Sequence, residues 1–220
     1  MKLVFFGTPR FAVPTLEKLV SSGFEVRLVV TQPDKPRGRG LELAPSPVKS
    51  RALELGLPVV QPDKIKSNQE FRTQLAALQP EAIVVVGYGR IIPQWMIDLP
   101  RLGNINLHAS LLPKYRGAAP IQWALAMGET VTGVTTMRID AGLDTGDILQ
   151  QTEIPSAMPA PTRASETKSV GWNSLASSTC AGTPLRKSCN QGHAGVRTIL
   201  KRMAQLARTI NGIVMTGQLS

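Results

Sequence analysis

Residues 103–120, GNINLHASLLPKYRGAAP, place two polar side chains inside an otherwise apolar strand pattern. Side chains of a β-strand alternate between its two faces, so Asn106 and His108 are predicted to share one face while Leu107 packs into the core. The strand then enters a loop rich in proline and glycine. Ligands of open α/β sheets bind beyond the carboxyl ends of the strands. We therefore interpret this stretch as a candidate active-site edge. The alternative is structural, with Asn106 capping the loop and His108 held in a hydrogen bond.

A second stretch, residues 140–148 (DAGLDTGDI), holds three acids and two glycines in nine residues. Glycine allows a tight backbone that other groups can approach closely. A carboxylate delivered by such a loop would orient His108 and raise its basicity. The spacing does not choose among the three acids.

The rest of the N-terminal part alternates strand and helix patterns. Residues 2–6 predict a buried strand, 11–22 a helix and 26–31 a second strand, which together make a βαβ unit. Its first turn lacks the G-x-G-x-x-G pattern, and no acid ends the second strand, so a dinucleotide site is not indicated. Further strands are predicted at 59–60, 82–86, 131–138 and 148–154, and further helices at 47–55, 68–78, 93–99 and 118–127. This order predicts an α/β fold with a Rossmann-like, mostly parallel sheet and helices on both faces.

Residues 32–49, QPDKPRGRGLELAPSPVK, interrupt this alternation. Four prolines and two glycines argue against a long regular element over most of the segment. The composition favours a solvated basic surface loop. The alternative is a set of phosphate contacts, because Arg37 and Arg39 are flanked by glycines and can adapt to a backbone that they position without reading.

Charge and composition set further limits. The 220 residues carry a net charge of +10, which favours a polyanionic partner such as nucleic acid. Residues 1–155 hold 17 of the 25 Lys and Arg and 14 of the 15 Asp and Glu, a net +3, so the excess lies mostly in residues 156–220. Cys180, Cys189 and the two histidines lack the spacing of a zinc site or a disulfide framework, and no metal is expected. Without a signal peptide or a membrane-length apolar run, a cytoplasmic protein is expected, with no membrane partner.

Residues 156–220 differ from the rest in composition. Residues 156–196 are rich in small and polar residues, a composition that buries too little apolar surface to offset the entropy of ordering. We therefore expect a divergent basic tail that is poorly ordered apart from a basic amphipathic helix over 198–213. That helix would either pack on the preceding domain or bind an anionic surface.

The settings NLHASLLPKYRGAAPIQ and GLDTGDI resemble the active site of the folate-dependent formyltransferases. The opening MKLVFFGTPRFAVPTL and the insertion TQPDKPRGRGLELAPSPVK most resemble the members that act on methionyl-tRNA. The resemblance covers residues 1 to about 155 and defines an expected catalytic domain over that range. It stops abruptly near Pro155, for which translation of the tail out of frame is one hypothesis, tested by reading the gene in its other frames.

The resemblance implies transfer of a formyl group from 10-formyltetrahydrofolate to the amino group of initiator methionyl-tRNA, without a metal. It implies catalytic roles for Asn106, His108 and Asp144. It also implies that 87–91 lines the pterin pocket, that 110–113 shapes the folate-side loop, and that the basic insertion contacts the tRNA acceptor end. The implied folate-site residues are Gly87, Tyr88, Gly89, Ile91, Ser110, Leu111, Leu112 and Pro113, and the implied tRNA contacts are Lys35, Arg37 and Arg39.

Family members continue into a β-rich, tRNA-binding domain that residues 156–220 do not match. That domain is therefore expected to be absent, and formylation of methionyl-tRNA is expected to be impaired. Two alternatives remain open. One is a formyltransferase acting on another amine, either a nucleotide sugar or a purine precursor, and the other is a non-catalytic, truncated RNA-binding remnant.

Overall fold

The computed structural model describes residues 1–37 and 42–155. Arg39, the expected disorder of 156–220 and the predicted helix over 198–213 lie outside these residues. The strands are β1 (Lys2–Gly7), β2 (Glu25–Val30), β3 (Lys35–Arg37), β4 (Glu42–Ala44), β5 (Val59–Val60), β6 (Ala82–Val86), β7 (Asn104–His108), β8 (Val131–Arg138) and β9 (Ile148–Pro155). The helices are α1 (Val13–Ser21), α2 (Pro47–Glu54), α3 (Gln69–Ala77), α4 (Gln94–Ile97) and α5 (Pro120–Ala126). Within the described ranges, no helix combines the length and apolar character needed to cross a bilayer.

Seven strands form one sheet in the order β5-β2-β1-β6-β7-β8-β9. The strands from β5 to β7 are mutually parallel, whereas β8 runs antiparallel to both β7 and β9. The predicted mostly parallel, Rossmann-like sheet is therefore confirmed. The chain builds outward from β1 to β5 and then crosses back to place β6 on the other side of β1. The strand order reverses between β1 and β6, which is where open α/β sheets form their ligand crevice.

Strand β1 supplies side chains to both faces of the sheet. Leu3 and Phe5 belong to the core cluster that includes residues of α1 and α2, whereas Val4 and Phe6 belong to the cluster with residues of α3 and α4. All four side chains are fully buried. A strand buried on both faces is what a central parallel strand requires, because helices cover both sides of the sheet. The predicted helices on both faces are confirmed.

Local chemistry sets where the helices begin. The sequence predicts one helix over 11–22, but the structure opens with a 3₁₀ turn at Arg10–Ala12 and starts α1 only at Val13, with Pro14 in its first turn. At the start of α2, the Ser46 side chain accepts a hydrogen bond from Lys49 N at 3.1 Å. Asn68 Oδ1 caps α3 in the same way by accepting from Phe71 N at 2.9 Å. Each cap satisfies a backbone donor that has no partner within its own helix.

The basic insertion contains a short two-stranded ribbon. Strands β3 and β4 pair antiparallel, so the predicted absence of a long regular element is compatible with the structure, but the loop is not featureless. Its two ends are joined at the base by a buried hydrogen bond between Thr31 Oγ1 and Ser46 Oγ at 2.7 Å. Asp34 bonds the Lys49 ammonium and accepts from Gln61 Nε2 at 2.7 Å, and these bonds lower the pKa of the Asp34 carboxyl. These hydrogen bonds therefore fix both ends of the ribbon segment at the carboxyl end of β2, on the side of the sheet where the crevice opens.

Candidate active site

A cleft of about 730 Å³ opens at the point where the strand order reverses. Its walls are the turn after β1, the segment that follows β6, the end of β7, the start of α5 and the loop that follows β8. A volume of this size falls in the usual range for small-molecule sites, roughly 300–1,000 Å³. Among the described residues, no group of three or more His, Cys, Asp and Glu side chains is placed to hold a metal ion.

Strand β7 delivers two polar side chains to this cleft. Asn106 and His108 both line it, and they lie opposite Met137 and Thr135 of β8 respectively. The side chain between them, Leu107, is 2% exposed and belongs to the core cluster on the opposite face of the sheet. The alternation predicted for this strand is confirmed.

The third residue of the site, Asp144, reaches the cleft from the loop between β8 and β9. Its Oδ1 accepts a hydrogen bond from Asn106 Nδ2 at 3.3 Å, and its Oδ2 lies 3.5 Å from His108 Nδ1. The same Oδ2 accepts from Gly117 N at 2.8 Å. Asp140 also lines the cleft, but its Oδ1 accepts a hydrogen bond from Thr145 Oγ1 at 2.8 Å. The contacts therefore single out Asp144 from the three acids of the loop.

The backbone of this loop explains how Asp144 arrives there. Its φ of 51° lies in the left-handed region, which aspartate and asparagine tolerate better than most residues. Two residues on, a Cβ built at Gly146 would lie 2.1 Å from the Arg138 carbonyl oxygen. Only glycine permits the loop to fold so closely onto the end of β8. The sequence pattern of acids and glycines therefore has a direct structural reason.

His108 makes its shortest polar contact with the main chain. Its Nε2 lies 2.8 Å from the carbonyl oxygen of Tyr115, and because a carbonyl can only accept, Nε2 carries a proton. Its Nδ1 faces the Asp144 carboxylate, and the side chain is 7% exposed. Both ring nitrogens thus face acceptor oxygens, an arrangement in which an imidazolium satisfies both contacts. The ring is held as a donor, with its orientation set from two sides.

The segment after β6 forms the opposite wall. Gly87, Tyr88, Gly89 and Ile91, which the resemblance implies for the folate site, all line the cleft. Gly87 has a φ of +56°, and a Cβ there would lie 2.5 Å from the ring of Phe11. Because Gly87 has no side chain, the main chain of this wall can pack directly against Phe11, which follows β1.

Tyr88 is the buried member of this wall. Its ring packs edge-on against Phe6 with centroids 5.2 Å apart, and burial raises the pKa of its hydroxyl. Its carbonyl oxygen accepts from Gln32 Nε2 at 2.7 Å. By contrast, Ile91 is 84% exposed at the mouth of the cleft. The wall therefore combines a fixed main chain with an exposed apolar rim.

Residues 110–113 do not form part of the described cleft wall. The Ser110 and Leu112 side chains are buried, and the Ser110 carbonyl and the Leu112 N–H both bond the Thr135 hydroxyl of β8, at 2.7 and 3.1 Å. Gln151 of β9 donates to the Leu112 carbonyl at 2.8 Å. The structure thus anchors this segment to β8 and β9. The sequence did not predict the anchoring role of Thr135 and Gln151, because a strand pattern does not indicate which groups its side chains bond.

Of the three basic residues of the insertion, Lys35 and Arg37 lie within the residues that the structure describes. Lys35 lies on β3 with an exposed side chain, and Arg37 ends the same strand.

Sequence reasoning did not assign a role to Tyr115, Gly117 or Gln32. All three act through hydrogen bonds that involve the main chain of the site, and no side-chain motif records such bonds. The left-handed backbone of Tyr115, with a φ of 56°, has no signal in its residue type.

The family model described as "Formyl transferase" matches residues 1–169. A methionyl-tRNA formyltransferase of Koribacter versatilis is 76% identical over 157 residues, which cover 71% of this chain and 50% of that protein. One from Acidobacterium capsulatum is 72% identical over 162 residues, covering 73% of this chain and 52% of that protein. The chain therefore spans about half the length of these curated relatives.

Solved structures share the same fold. A phosphoribosylglycinamide formyltransferase from Bacillus halodurans aligns with a TM-score of 0.58 and 25% identity, covering 70% of this chain and 80% of that one. Another, from Anaplasma phagocytophilum, aligns with a TM-score of 0.57 and 21% identity, covering 70% and 72%. At this level of identity the second likeness concerns the fold alone.

Proposed function

Because the chain belongs to the formyl transferase family, we propose that it transfers the formyl group of 10-formyltetrahydrofolate to the amino group of methionyl-tRNA. The observation that carries formyl transfer is the contact of Asp144 with both Asn106 and His108 at the cleft. Methionyl-tRNA as the substrate that accepts the formyl group is supported by the 76% and 72% identity to relatives named methionyl-tRNA formyltransferase. We further propose that residues 1–155 form the catalytic unit, in the cytoplasm, where charged tRNA is used.

Asn106 is suited to stabilise the charge that develops in this reaction. The acceptor amine attacks the formyl carbon, a C–N bond forms, and negative charge builds on the formyl oxygen. Asn106 Nδ2 has two hydrogens and spends one on Asp144, which leaves the other for this oxygen. One such donor typically contributes about 3–4 kcal/mol to the transition state.

His108 and Asp144 complete the charge balance. A protonated His108 ring, with one N–H on the Tyr115 carbonyl and the other facing Asp144, places positive charge beside the developing oxyanion, an electrostatic effect worth roughly 10²–10³-fold in rate. Asp144 orients both donors and receives the proton that the amine loses. The oxyanion then collapses to the carbonyl, the bond from the formyl carbon to N10 breaks, and N10 takes up the proton held by Asp144 as tetrahydrofolate leaves.

The shape and lining of the cleft favour a folate bound beside the segment 87–91. Main-chain groups of this segment are available along a wall where Gly87 and Gly89 carry no side chain, and Ile91 adds an apolar rim. We propose that the pterin ring binds this wall. Residues 110–113 would then act by holding the loop that carries Tyr115, where Ser110 Oγ donates to the Lys114 carbonyl at 2.6 Å, and not by direct contact.

The tRNA would meet the protein at the ribbon. Lys35, Arg37 and Arg39 are proposed to contact phosphates of the acceptor end, a role that positions the RNA and does not read its sequence. The anchored base beside the cleft would bring the 3′-terminal aminoacyl group toward Asn106. No specific observation favours a nucleotide sugar or a purine precursor as acceptor.

The decisive experiment offers purified protein 10-formyltetrahydrofolate with initiator methionyl-tRNA, an amino-sugar nucleotide or glycinamide ribonucleotide in parallel. Formylmethionyl-tRNA as the preferred product supports the proposal. Faster transfer to one of the small amines would move the protein to that substrate class. Stabilisation by a folate analogue without transfer to any amine would favour the non-catalytic alternative.

A further inference from the structure

Tyr115 supplies the carbonyl that holds His108 Nε2, and the same residue is tied down through its side chain. Its backbone lies in the left-handed region with φ of 56°, where a bulky residue is strained and persists only if its surroundings hold it. The carbonyl direction depends on that backbone state. Whatever fixes Tyr115 therefore also fixes the partner of the His108 ring.

Glu129 is the group that fixes it. The Tyr115 hydroxyl donates to Glu129 Oε1 at 2.7 Å, and Lys114 Nζ lies 2.9 Å from the same oxygen. Glu129 is itself anchored at the end of α5, where its N–H donates to the Ala124 carbonyl at 3.0 Å. Hydrogen bonding to Glu129 raises the pKa of Tyr115, and hydrogen bonds from Tyr115 and then Lys114 lower the pKa of Glu129. The donor therefore stays protonated and the acceptor ionised around neutral pH.

We propose that Tyr115, held by Glu129, is a positioning residue that fixes the orientation of the His108 ring and keeps a proton on its Nε2 for formyl transfer. We name the pair the Tyr115–Glu129 brace. The inference rests on the proposed function for its kinetic consequence, whereas its effect on the His108 ring does not. Neither residue touches the reacting atoms. The brace acts through the 2.8 Å bond between His108 Nε2 and the Tyr115 carbonyl.

The kinetic test compares Tyr115→Phe with the wild type. The variant keeps the ring and its packing but loses the bond to Glu129. Because the bond to the ionised Glu129 acts on His108 only through the Tyr115 carbonyl, part of its worth should reach the reaction, and kcat should fall about 2- to 10-fold, with KM for folate and for methionyl-tRNA little changed. Lys114→Gln is the matched control. It removes the other partner of the same Glu129 oxygen and should leave kcat at the wild-type value.

A double-mutant cycle asks whether the two residues act as one unit. Glu129→Ala should lower kcat about as much as Tyr115→Phe, and the double variant should be no slower than the slower single variant. Glu129→Gln keeps an acceptor oxygen and should recover most of the rate. Additive losses would show that the residues act independently and would overturn the brace.

The spectroscopic test reads His108 directly. The chain has two histidines, so long-range ¹H–¹⁵N spectra of the full chain contain two imidazole patterns, assigned with His193→Gln. The neutral wild-type His108 ring should carry its proton on Nε2, and Tyr115→Phe should show a mixture of tautomers. An unchanged tautomer population in Tyr115→Phe overturns the proposal whatever the rates.

These two readouts separate failure of the inference from failure of the proposed function. If the wild type formylates no amine, the proposed function fails, and the tautomer readout still decides whether the brace holds His108. If the wild type is active and Tyr115→Phe matches it in kcat, the brace has no role in the reaction. Thermal unfolding of each variant identifies one that is misfolded, in which case Glu129→Ala takes the place of Tyr115→Phe in both tests.

Discussion

At the scale of single residues, Asp144 organises the site. It accepts hydrogen bonds from Asn106 Nδ2 and Gly117 N and faces His108 Nδ1, so one carboxylate joins a strand, a loop and the imidazole. It does so with only 14% of its side chain exposed. A charge-assisted bond in such a setting is stronger than a neutral one. Removing the charge should therefore weaken the hold on Asn106, Gly117 and His108 together.

We expect Asp144→Asn to lower kcat by at least about 10²-fold, because His108 loses its charged partner and the amine loses its proton acceptor. Asparagine also tolerates the left-handed backbone at this position, so the fold should persist. Formyl transfer under saturating substrates measures the rate, and thermal unfolding with a folate analogue measures binding. Asp147→Asn, an exposed acid three residues on, is the control and should behave like the wild type. Equal loss of folate affinity in Asp144→Asn would indicate a binding role instead.

A second residue-scale prediction concerns acid stability. The bond from Arg101, followed by that from Lys2 N, lowers the pKa of Glu81 from its ordinary value of 4.5. A carboxyl with a lowered folded pKa contributes stability above the unfolded pKa and loses it as pH falls through the folded one. The free-energy difference between wild type and Glu81→Gln should therefore be larger at pH 7 than at pH 3. Urea unfolding at both pH values measures it.

Arg101→Gln gives the matching control for Glu81. It removes the largest cause of the lowered pKa while leaving the carboxyl in place. In that background, the pH dependence of the Glu81→Gln difference should shrink. A difference that stays the same size from pH 7 to pH 3 in the wild-type background would contradict the assignment.

At the scale of elements, one of two helix caps also connects the basic ribbon to the end of β2. Ser46 caps α2 and also shares a buried bond with Thr31, whereas Asn68 caps α3 alone. The two caps look equivalent in sequence. The structure makes one of them part of the base on which β3 and β4 stand.

We expect Asn68→Ala to cost about 1 kcal/mol of unfolding free energy, as cap removal usually does. Ser46→Ala should cost more, because it also leaves the Thr31 hydroxyl buried without its partner, at about 1–3 kcal/mol. Denaturant unfolding of the two variants gives the comparison. Thr31→Val combined with Ser46→Ala should recover part of the loss, since both partners of the buried bond are then absent. A double variant less stable than Ser46→Ala would argue against this explanation.

At the scale of the whole molecule, the described residues include basic side chains at both the carboxyl and the amino ends of the parallel strands. The ribbon with Lys35 follows the carboxyl end of β2, beside the cleft, whereas Arg27 and Lys18 lie toward the opposite end, near the start of β2 and the end of α1. Net positive charge alone would attract RNA to any surface. The proposed function requires the tRNA to bind at the carboxyl end of the parallel strands, where the cleft lies.

We predict that replacing Lys35, Arg37 and Arg39 by alanine weakens binding of methionyl-tRNA without changing folate affinity. Loss of three phosphate contacts to a single-stranded end should reduce the slope of log affinity against log salt by about 2. Filter binding at several salt concentrations measures the slope. The paired variant Lys18→Ala with Arg27→Ala removes charge from the far end and should leave it nearly unchanged. An equal effect of both sets would mean that the RNA is held by overall charge.

Much of the fold follows from patterns within short stretches. The run of apolar residues in 82–86 predicts a strand buried on both faces, and the alternation through Asn106, Leu107 and His108 predicts which side chains face the ligand. These predictions hold because strand and helix periods are local properties of the chain. The candidate residues Asn106, His108 and Asp144 came from such stretches together with a family resemblance, and their catalytic roles stay predictions.

Only the tertiary structure decided which groups these residues meet. It separated Asp144 from Asp140, turned 110–113 onto β8 and β9, and placed the Tyr115 carbonyl on His108 Nε2. The bond from Asn106 to Asp144 joins residues 38 positions apart, and that from Leu112 N to Thr135 joins residues 23 apart. The sequence by itself determined the strands of the main sheet, the approximate positions of the helices and the residue types at the cleft, because these depend on neighbours along the chain. The hydrogen-bond partners depend on how distant segments pack, and no period in the sequence encodes that.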